Sequence, residues 1–139
     1  MTATLLDTVT VSEIRRGPKG DPNVWQWQQS LSRASLSVMT LNEIFYGIRN
    51  VERKDSSFAG RLHHWYANLL MQPERYRVID VNRSIAEQAA VFRAIHGMAL
   101  ADSLIAATAK VHHLTLATRN TADFQACGID LVNPWQPEA

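Results

Sequence analysis

Short apolar segments alternate with longer amphipathic segments along this chain. Five segments rich in aliphatic and β-branched residues predict strands: TATLLDT, ASLSVMT, YRVIDV, LTLATRN and IDLVNPW. Most of the stretches between them carry apolar residues at helical spacing or end at the glycine and proline residues that stop helices. Strands that alternate with helices in this way predict an α/β fold with a mainly parallel sheet.

The helix signal is clearest in the middle of the chain. The segment LNEIFYGIRNVERK has an apolar stripe, and a second stripe is formed by Phe58, Leu62, Trp65 and Leu69. These two helices are predicted to form a hairpin through KDSS. Further along, Ser84 and Glu87 have the spacing of a capping box, and Gly97 is the expected end of that helix.

Composition narrows the class of protein. The 139 residues suggest one domain over 1–139, and 46% hydrophobic with 19% charged residues argues against disorder. The formal net charge of +1 neither demands nor excludes a nucleic-acid partner. One cysteine, Cys127, rules out an internal disulfide and fits a reducing, cytoplasmic setting. We expect neither a signal peptide nor a membrane span.

Acidic residues near predicted strand ends are the candidate chemistry, because sites in parallel sheets form at the carboxyl ends of strands. Asp7 ends the first predicted strand. An ordinary turn or helix cap is the plain alternative for Asp7. However, Thr10 and Glu13 already have capping-box spacing, which predicts that Asp7 is not needed as the cap.

Two further acids have their own structural explanations. Thr40 and Glu43 have capping-box spacing, so Glu43 can simply reach back to the Thr40 amide. Asp102 lies among small and apolar residues in MALADSLIAATA, where a charge is costly unless it is paired or hydrated. Its plain explanation is an N-cap for SLIAATAKV, and the positive end of a helix would stabilise the carboxylate.

The segment ATRNTADF follows the fourth predicted strand. Thr118 and Arg119 can touch a phosphate there, while Asn120 and Asp123 are also normal turn and helix-start residues. As a set, Asp7, Glu43 and Asp102 resemble a site for a hard divalent cation, which prefers oxygen ligands and often keeps waters and a substrate phosphate. Spread over so many residues, this set is a weak signal without a fold.

At this point the blocks LLDTVTVSEI, SVMTLNEIFYGI and ALADSLIAATAKVHHLTLATRNTADF resemble, in order, the three conserved blocks of PIN-domain proteins. The final LVNPW matches the FitB-like branch of the VapC toxins. The resemblance covers nearly the whole chain, and its third block is the most specific.

The resemblance implies a three-layer α/β/α PIN fold and an endoribonuclease that depends on Mg²⁺ or Mn²⁺. It further implies the toxin of a toxin–antitoxin pair, with RNA as substrate, a VapB- or FitA-type antitoxin, and a homodimer or a dimer of toxin–antitoxin heterodimers. By position, Asp7, Glu43, Asp102 and Asn120 match the family's four acids. Asp7 and Asp102 are the expected metal ligands, and Thr8 lies where the family contacts metal and phosphate.

Two positions depart from the family pattern. Val9 replaces the Asn that usually follows Asp-Thr, and Asn120 loses one negative charge where many members carry the fourth acid. Asp123 can supply the missing carboxylate, although it lies three residues further on.

Two other functions remain open from the residues. A PIN fold with an altered acid set can act as a binding module for an antitoxin or nucleic acid. A phosphotransfer domain is disfavoured, because Val9 stands where a haloacid-dehalogenase-like phosphatase needs its second Asp. A receiver domain would use Asp80 in RVIDV, but it also needs a Lys that TLATRN lacks.

Overall fold

A five-stranded, fully parallel sheet forms the centre of the computed structural model, which describes residues 3–137. The strands are β1 (Thr4–Leu6), β2 (Ala34–Ser37), β3 (Tyr76–Ile79), β4 (Thr115–Ala117) and β5 (Leu131–Val132). The helices are α1 (Thr8–Arg15), α2 (Pro22–Gln29), α3 (Val38–Glu52), α4 (Ser56–Leu70), α5 (Arg83–His96), α6 (Leu100–His112) and α7 (Thr121–Phe124). All five predicted strands and the parallel sheet are therefore confirmed.

The strand order is β3-β2-β1-β4-β5, and every neighbouring pair is parallel. The chain first moves from β1 through β2 to β3 and then crosses to the other side of β1 to form β4. The order therefore reverses between β1 and β4. In open parallel sheets, the crevice at the carboxyl ends of the strands on either side of such a reversal is where ligands bind.

Two apolar clusters cover the two faces of the sheet. On β1, Leu5 packs with buried residues of α5 and α6, whereas Leu6 packs with buried residues of α1, α3 and α4. Successive residues of a strand point to opposite faces, so this alternation places helices on both sides of the sheet. The expected three-layer α/β/α arrangement is confirmed. The predicted hairpin of α3 and α4 is also present, but α4 begins at Ser56, within the KDSS segment.

The starts of α3 and α5 differ from the predictions. The predicted strand ASLSVMT ends at Ser37, which caps α3 by accepting a hydrogen bond from the Met39 amide at 3.0 Å. Helix α5 is capped by Asn82, whose side chain accepts from the Ile85 amide at 2.9 Å, so the predicted cap at Ser84 is wrong. The predicted end of this helix at Gly97 is confirmed, with the left-handed φ of 66° that glycine adopts without strain.

Within residues 3–137, none of the helices has the length and apolar character required to cross a bilayer.

Candidate active site

The candidate site lies where β1 and β4 end side by side. Asp7 follows β1 directly, and its amide donates to the Ala117 carbonyl at the end of β4 at 3.2 Å. The Thr10 hydroxyl donates to the same carbonyl at 3.0 Å. These two bonds hold the start of α1 against the end of β4. The residues that follow both strands therefore meet at the position where the strand order reverses.

Asp7 is buried, with 7% of its surface exposed, and it is the N-cap of α1. Its Oδ1 accepts a hydrogen bond from the Thr10 amide at 2.8 Å. The prediction that Thr10 and Glu13 form a capping box and free Asp7 from this role is therefore wrong. A single residue, Asp7, lies between the end of β1 and the start of α1, so Asp7 occupies the cap position. Glu13 instead accepts from the Asp21 amide at 2.7 Å.

Glu43 lies beyond the first turn of α3, since this helix begins at Val38. The capping box from Thr40 to Glu43 is consequently absent, and the structural explanation for Glu43 does not hold. Its Oε1 instead accepts a hydrogen bond from the Thr8 hydroxyl at 2.5 Å. The Thr8 hydroxyl is also hydrogen-bonded to the hydroxyl of the fully buried Thr40, at 3.2 Å. Thr8, the first residue of α1, is thus hydrogen-bonded to the acid on α3.

Asp102 is the third residue of α6, which begins at Leu100 after an N-cap at Ala99 that makes no side-chain bond. The alternative that Asp102 caps this helix is therefore wrong. Its position in the first turn still exposes the carboxylate to the positive end of the helix. The residue as a whole is exposed, and Ser103 directly after it is fully buried.

The pKa of Asp102 indicates which other acids lie near it. Partial burial of its carboxyl group raises this pKa above the usual value, because a charged form loses hydration there. The negative charges of Glu43, Asp123 and Asp7, in decreasing order, raise it further. Four carboxylates that are distant in sequence are therefore close enough in space to repel one another. The structure brings together the three acids expected from the sequence, and it also places near them Asp123, the acid suggested as the substitute for Asn120.

This set of side chains suits a hard divalent cation. A cation among repelling carboxylates would relieve the repulsion, and Mg²⁺ typically takes one or two carboxylates with waters and a phosphate. Within residues 3–137, no three His, Cys, Asp or Glu side chains converge into a ready-made cage for a metal. The repulsion between these carboxylates is compatible with the absence of such a cage, because charges interact over longer distances than those of direct metal coordination. Of the three charges acting on Asp102, that of Asp7 contributes least, so the expectation that Asp7 and Asp102 share a metal ion stays a prediction.

The loop after β4 forms the other wall of the site. Thr118 is fully buried, and its hydroxyl accepts a hydrogen bond from the Asn120 amide at 3.1 Å. In this conformation Thr118 holds the loop, and its expected contact with phosphate stays a prediction. Asn120 and Asp123 are both exposed, and the Asp123 amide donates to the Asn120 carbonyl at 3.1 Å.

Arg119 is exposed, and its guanidinium carbon lies 5.4 Å from the centroid of the Trp135 ring. The sequence provided no reason to pair these residues, because they are far apart along the chain. Thr40 was also missed as part of the site, since it had been assigned to a strand. The local signals were interpreted differently, since LVNPW served only as a family resemblance and Thr40 only as part of a capping box.

Comparison with known proteins identifies the family. The family model of the PIN domain matches residues 4–128 of the chain. The chain belongs to the PIN-domain family.

Close relatives of this PIN domain include two named proteins. VapC ribonuclease Y4jK of Sinorhizobium fredii is 32% identical, and the match covers 96% of this chain and 98% of the relative. Toxin FitB of Neisseria gonorrhoeae is 34% identical over 94% of this chain and 97% of FitB. The predicted resemblance to VapC toxins and to their FitB-like branch is confirmed.

Solved structures agree with this assignment. The crystal structure of FitAcB from Neisseria gonorrhoeae has a TM-score of 0.79 and 32% identity, covering 96% of this PIN domain and 99% of that chain. A toxin–antitoxin complex from Klebsiella pneumoniae has a TM-score of 0.69 and 25% identity, covering 95% and 98%.

The two departures from the PIN pattern lie at different places in the site. Val9 is the second residue of α1 and is 47% exposed, so an apolar surface stands where the family usually places an amide. Asn120 lies in the loop held by Thr118 and contributes a neutral amide beside Asp123. The charge of the Asp123 carboxylate acts on Asp102, while the expectation that it replaces the charge absent at Asn120 stays a prediction.

Proposed function

We propose that this PIN domain is the toxin of a type II toxin–antitoxin system and cleaves RNA phosphodiester bonds as a metal-dependent endoribonuclease. The observation that carries the proposal is the gathering of acids beside the adjoining ends of β1 and β4. Burial of the Asp102 carboxyl group, and then the nearby charges of Glu43, Asp123 and Asp7, raise the pKa of Asp102. Mutually repelling carboxylates at a strand-order reversal are typical of a site that binds a cation and a charged substrate. The relative named as a VapC ribonuclease supports the reaction class.

Asp7 and Asp102 are the proposed ligands of Mg²⁺, or alternatively of Mn²⁺. Bound there, the ion would supply an activated water and stabilise negative charge on the phosphate. Glu43 has one carboxylate oxygen oriented by the Thr8 hydroxyl, which fixes the direction of the other oxygen. We assign to Glu43 the positioning of the attacking water and the acceptance of its proton. The Asn120 amide lies at the edge of the site, where it can donate to substrate oxygens.

Thr8 acts in this scheme through Glu43 rather than on the substrate alone. Its hydroxyl is held between Glu43 and the buried Thr40, so it cannot rotate freely. Asp7 is equally fixed, because its Oδ1 caps α1. Catalytic groups held by bonds to rigid elements lose little entropy when substrate binds.

The test is cleavage of a single-stranded RNA by the purified chain, free of any antitoxin, with Mg²⁺ or Mn²⁺ and with EDTA as control. We expect cleavage with metal and none with EDTA. Glu43→Gln and Asp102→Asn should each lower the rate by at least about 100-fold, the scale of general-base and metal contributions. Cleavage that persists unchanged in EDTA or in both variants would contradict the proposal.

A second function, a binding module without catalysis, is favoured by the neutral Asn120 and by Val9 at positions where the family usually carries polar or acidic groups. Metal titration separates the two functions. A binding module would bind RNA or an antitoxin with no metal-dependent turnover and would lose nothing on Asp102→Asn.

We further propose an antitoxin of the VapB or FitA type as the partner, with a homodimer of the toxin. The Klebsiella structure is described as a toxin–antitoxin complex, which supports this partner. Exposed apolar side chains on and after α3 and α4 provide surface for such contacts, including Phe45, Tyr46 and Met71. Light scattering on the purified chain, with Tyr46→Glu as the disruptive variant, measures the dimer. If the neighbouring reading frame encodes a small basic protein, coexpression with that protein measures antitoxin binding.

A further inference from the structure

Next to the acid cluster lies an open cleft of about 510 Å³, between the loop after β4, the N-terminus of α2 and the C-terminal segment. Asn120 and Asp123 belong to its lining, so the cleft shares Asp123 with the acid cluster formed by Asp7, Glu43, Asp102 and Asp123. Its volume falls within the range of about 300–1,000 Å³ that is usual for small-molecule sites. The metal-dependent reaction proposed above does not explain this cleft or the NPW motif that lines it.

The cleft contains one fixed cation–aromatic pair. The Arg119 guanidinium lies 5.4 Å from the Trp135 ring centroid, within the distance of a cation–π interaction. Trp135 is only 8% exposed, so its ring supports Arg119 and offers little surface of its own. Arg119 is exposed, so the side of its guanidinium turned away from the ring is accessible.

Trp135 is attached at both backbone groups. Its amide donates to Asn133 Oδ1 at 3.0 Å, and its carbonyl accepts from Asn23 Nδ2 of α2 at 2.8 Å. The preceding Pro134 is buried and fixes the approach of the chain. These contacts hold the ring, and through it Arg119, in place before any ligand binds. The NPW motif thereby connects the C-terminal segment to the loop that follows β4.

The charges in the cleft disfavour a phosphate and favour a nucleobase. Two carboxylates, of Asp21 and Asp123, line it together with the single guanidinium of Arg119. That balance repels a phosphate group. A base is neutral, presents N–H donors to carboxylates and amides, and stacks on guanidinium planes. Exposed Asn120 and Gln136 supply amide groups that can hydrogen-bond the edge of a base.

We propose that this cleft binds one nucleobase of single-stranded RNA next to the scissile phosphate, with the base stacked on the guanidinium of Arg119 that Trp135 supports. The inference rests on the proposed ribonuclease function. Arg119 is then a residue that determines specificity, because it holds a base and leaves the phosphate to the acid cluster. A base in this cleft places the adjoining phosphate beside Asp123 and Asp102.

The test uses the full chain with Mg²⁺ and a single-stranded RNA whose cleavage position has been mapped. The same RNA is then resynthesised with an abasic ribose at each nucleotide on either side of the cut. We expect one abasic position to lower kcat/KM of the parent by about 5- to 150-fold, the scale of losing one base stack. Arg119→Ala should show the same loss on intact RNA and no further loss on that abasic RNA.

Two further variants separate the roles of charge and shape. Arg119→Lys keeps the charge but not the plane, so it should behave as Arg119→Ala does. Arg61→Ala is the matched control, because the Arg61 guanidinium also lies 5.4 Å from an aromatic ring, that of Phe58 on α4. It should keep the sensitivity of the parent to the abasic position. If Arg119→Ala slows intact and abasic RNA by equal factors, Arg119 contacts phosphate and the proposal is overturned.

Failure of the ribonuclease function is measured separately. If the parent cleaves no RNA, binding of a fluorescent oligonucleotide is compared with binding of its fully abasic counterpart. A preference for the oligonucleotide with bases that Arg119→Ala removes supports the cleft as a base site even then. An equal affinity of the parent for both oligonucleotides overturns it.

Discussion

Asp7 has one observed role and one proposed role, and substitutions at this position separate them. It caps α1 through Oδ1 and is also a proposed metal ligand. In Asp7→Ala, loss of the cap should lower the free energy of unfolding by about 0.5–2 kcal/mol. For a chain of this size, each kcal/mol corresponds to a fall in Tm of roughly 3–5 °C. In Asp7→Asn an acceptor remains in the same place, so stability should change by no more than about 0.5 kcal/mol.

Cleavage should respond differently from stability. Both substitutions remove the carboxylate charge, so both should reduce RNA cleavage with Mg²⁺ by at least about 100-fold, since a metal site contributes several kcal/mol to transition-state stabilisation. Urea denaturation followed by circular dichroism measures the first quantity. Initial rates on one single-stranded RNA, at a temperature where all variants are folded, measure the second.

A matched control exists on α4. Asp55 caps that helix by accepting a hydrogen bond from the Phe58 amide at 2.9 Å, in the same relation to its helix as Asp7 to Thr10. Asp55→Ala should lose stability by a similar amount and cleave RNA as the parent does. The reasoning would be refuted if Asp7→Asn cleaved at the parental rate. It would also fail if Asp7→Asn were destabilised as much as Asp7→Ala.

Three further outcomes follow from the structure. Thr8→Val should lower kcat by about 10- to 100-fold, because it removes the hydrogen bond that orients Glu43, and loss of such a supporting bond has an effect of this size at metal sites. Thr8→Ser keeps the hydroxyl and should keep most of the activity. A Thr8→Val enzyme that cleaves at the parental rate would contradict this prediction. The pKa of Asp102 in the folded state is raised above its unfolded value, so the contribution of Asp102 to the free energy of unfolding should fall as pH rises from about 3.8 through the raised pKa. Denaturation in EDTA across that range should therefore show the parent losing stability with rising pH relative to Asp102→Asn. A constant difference in stability between the two proteins would contradict this prediction. Leu36 of β2 is fully buried, so Leu36→Ala should lower the free energy of unfolding, measured by urea denaturation, by about 2–5 kcal/mol. A loss below about 1 kcal/mol would contradict this prediction and would mean that the core around residue 36 closes over the cavity.

Element order and fold class could be predicted from the sequence because both depend on local patterns. A strand of this sheet is a short apolar run, and a helix between two strands is a longer periodic one. Parallel strands need crossovers, so the alternation alone implied the parallel sheet. The acids expected at strand ends were found together because the carboxyl ends of parallel strands lie on one edge.

Helix starts were the weak part of the predictions, for a common physical reason. A capping box can be recognised at Thr10, Thr40 and Ser84 from spacing alone, but the helix begins where the strand before it ends. That point depends on pairing with neighbouring strands. Val38 and Thr40 were predicted in β2 because Val and Thr favour strands locally, but both lie in α3, and Ser37 is the cap of this helix.

By itself, therefore, the sequence determined the α/β class, the order of elements, the resemblance to PIN domains and the identity of the acids. Only the tertiary structure decided that Asp7 caps α1 beside the other acids, that Thr8 donates a hydrogen bond to Glu43, and that Asp123 lies near Asp102. It also placed Arg119 on Trp135. The difference is one of range: hydrophobic periodicity acts over a few residues, whereas hydrogen bonds and charge interactions in the site join segments that only the packed sheet brings together.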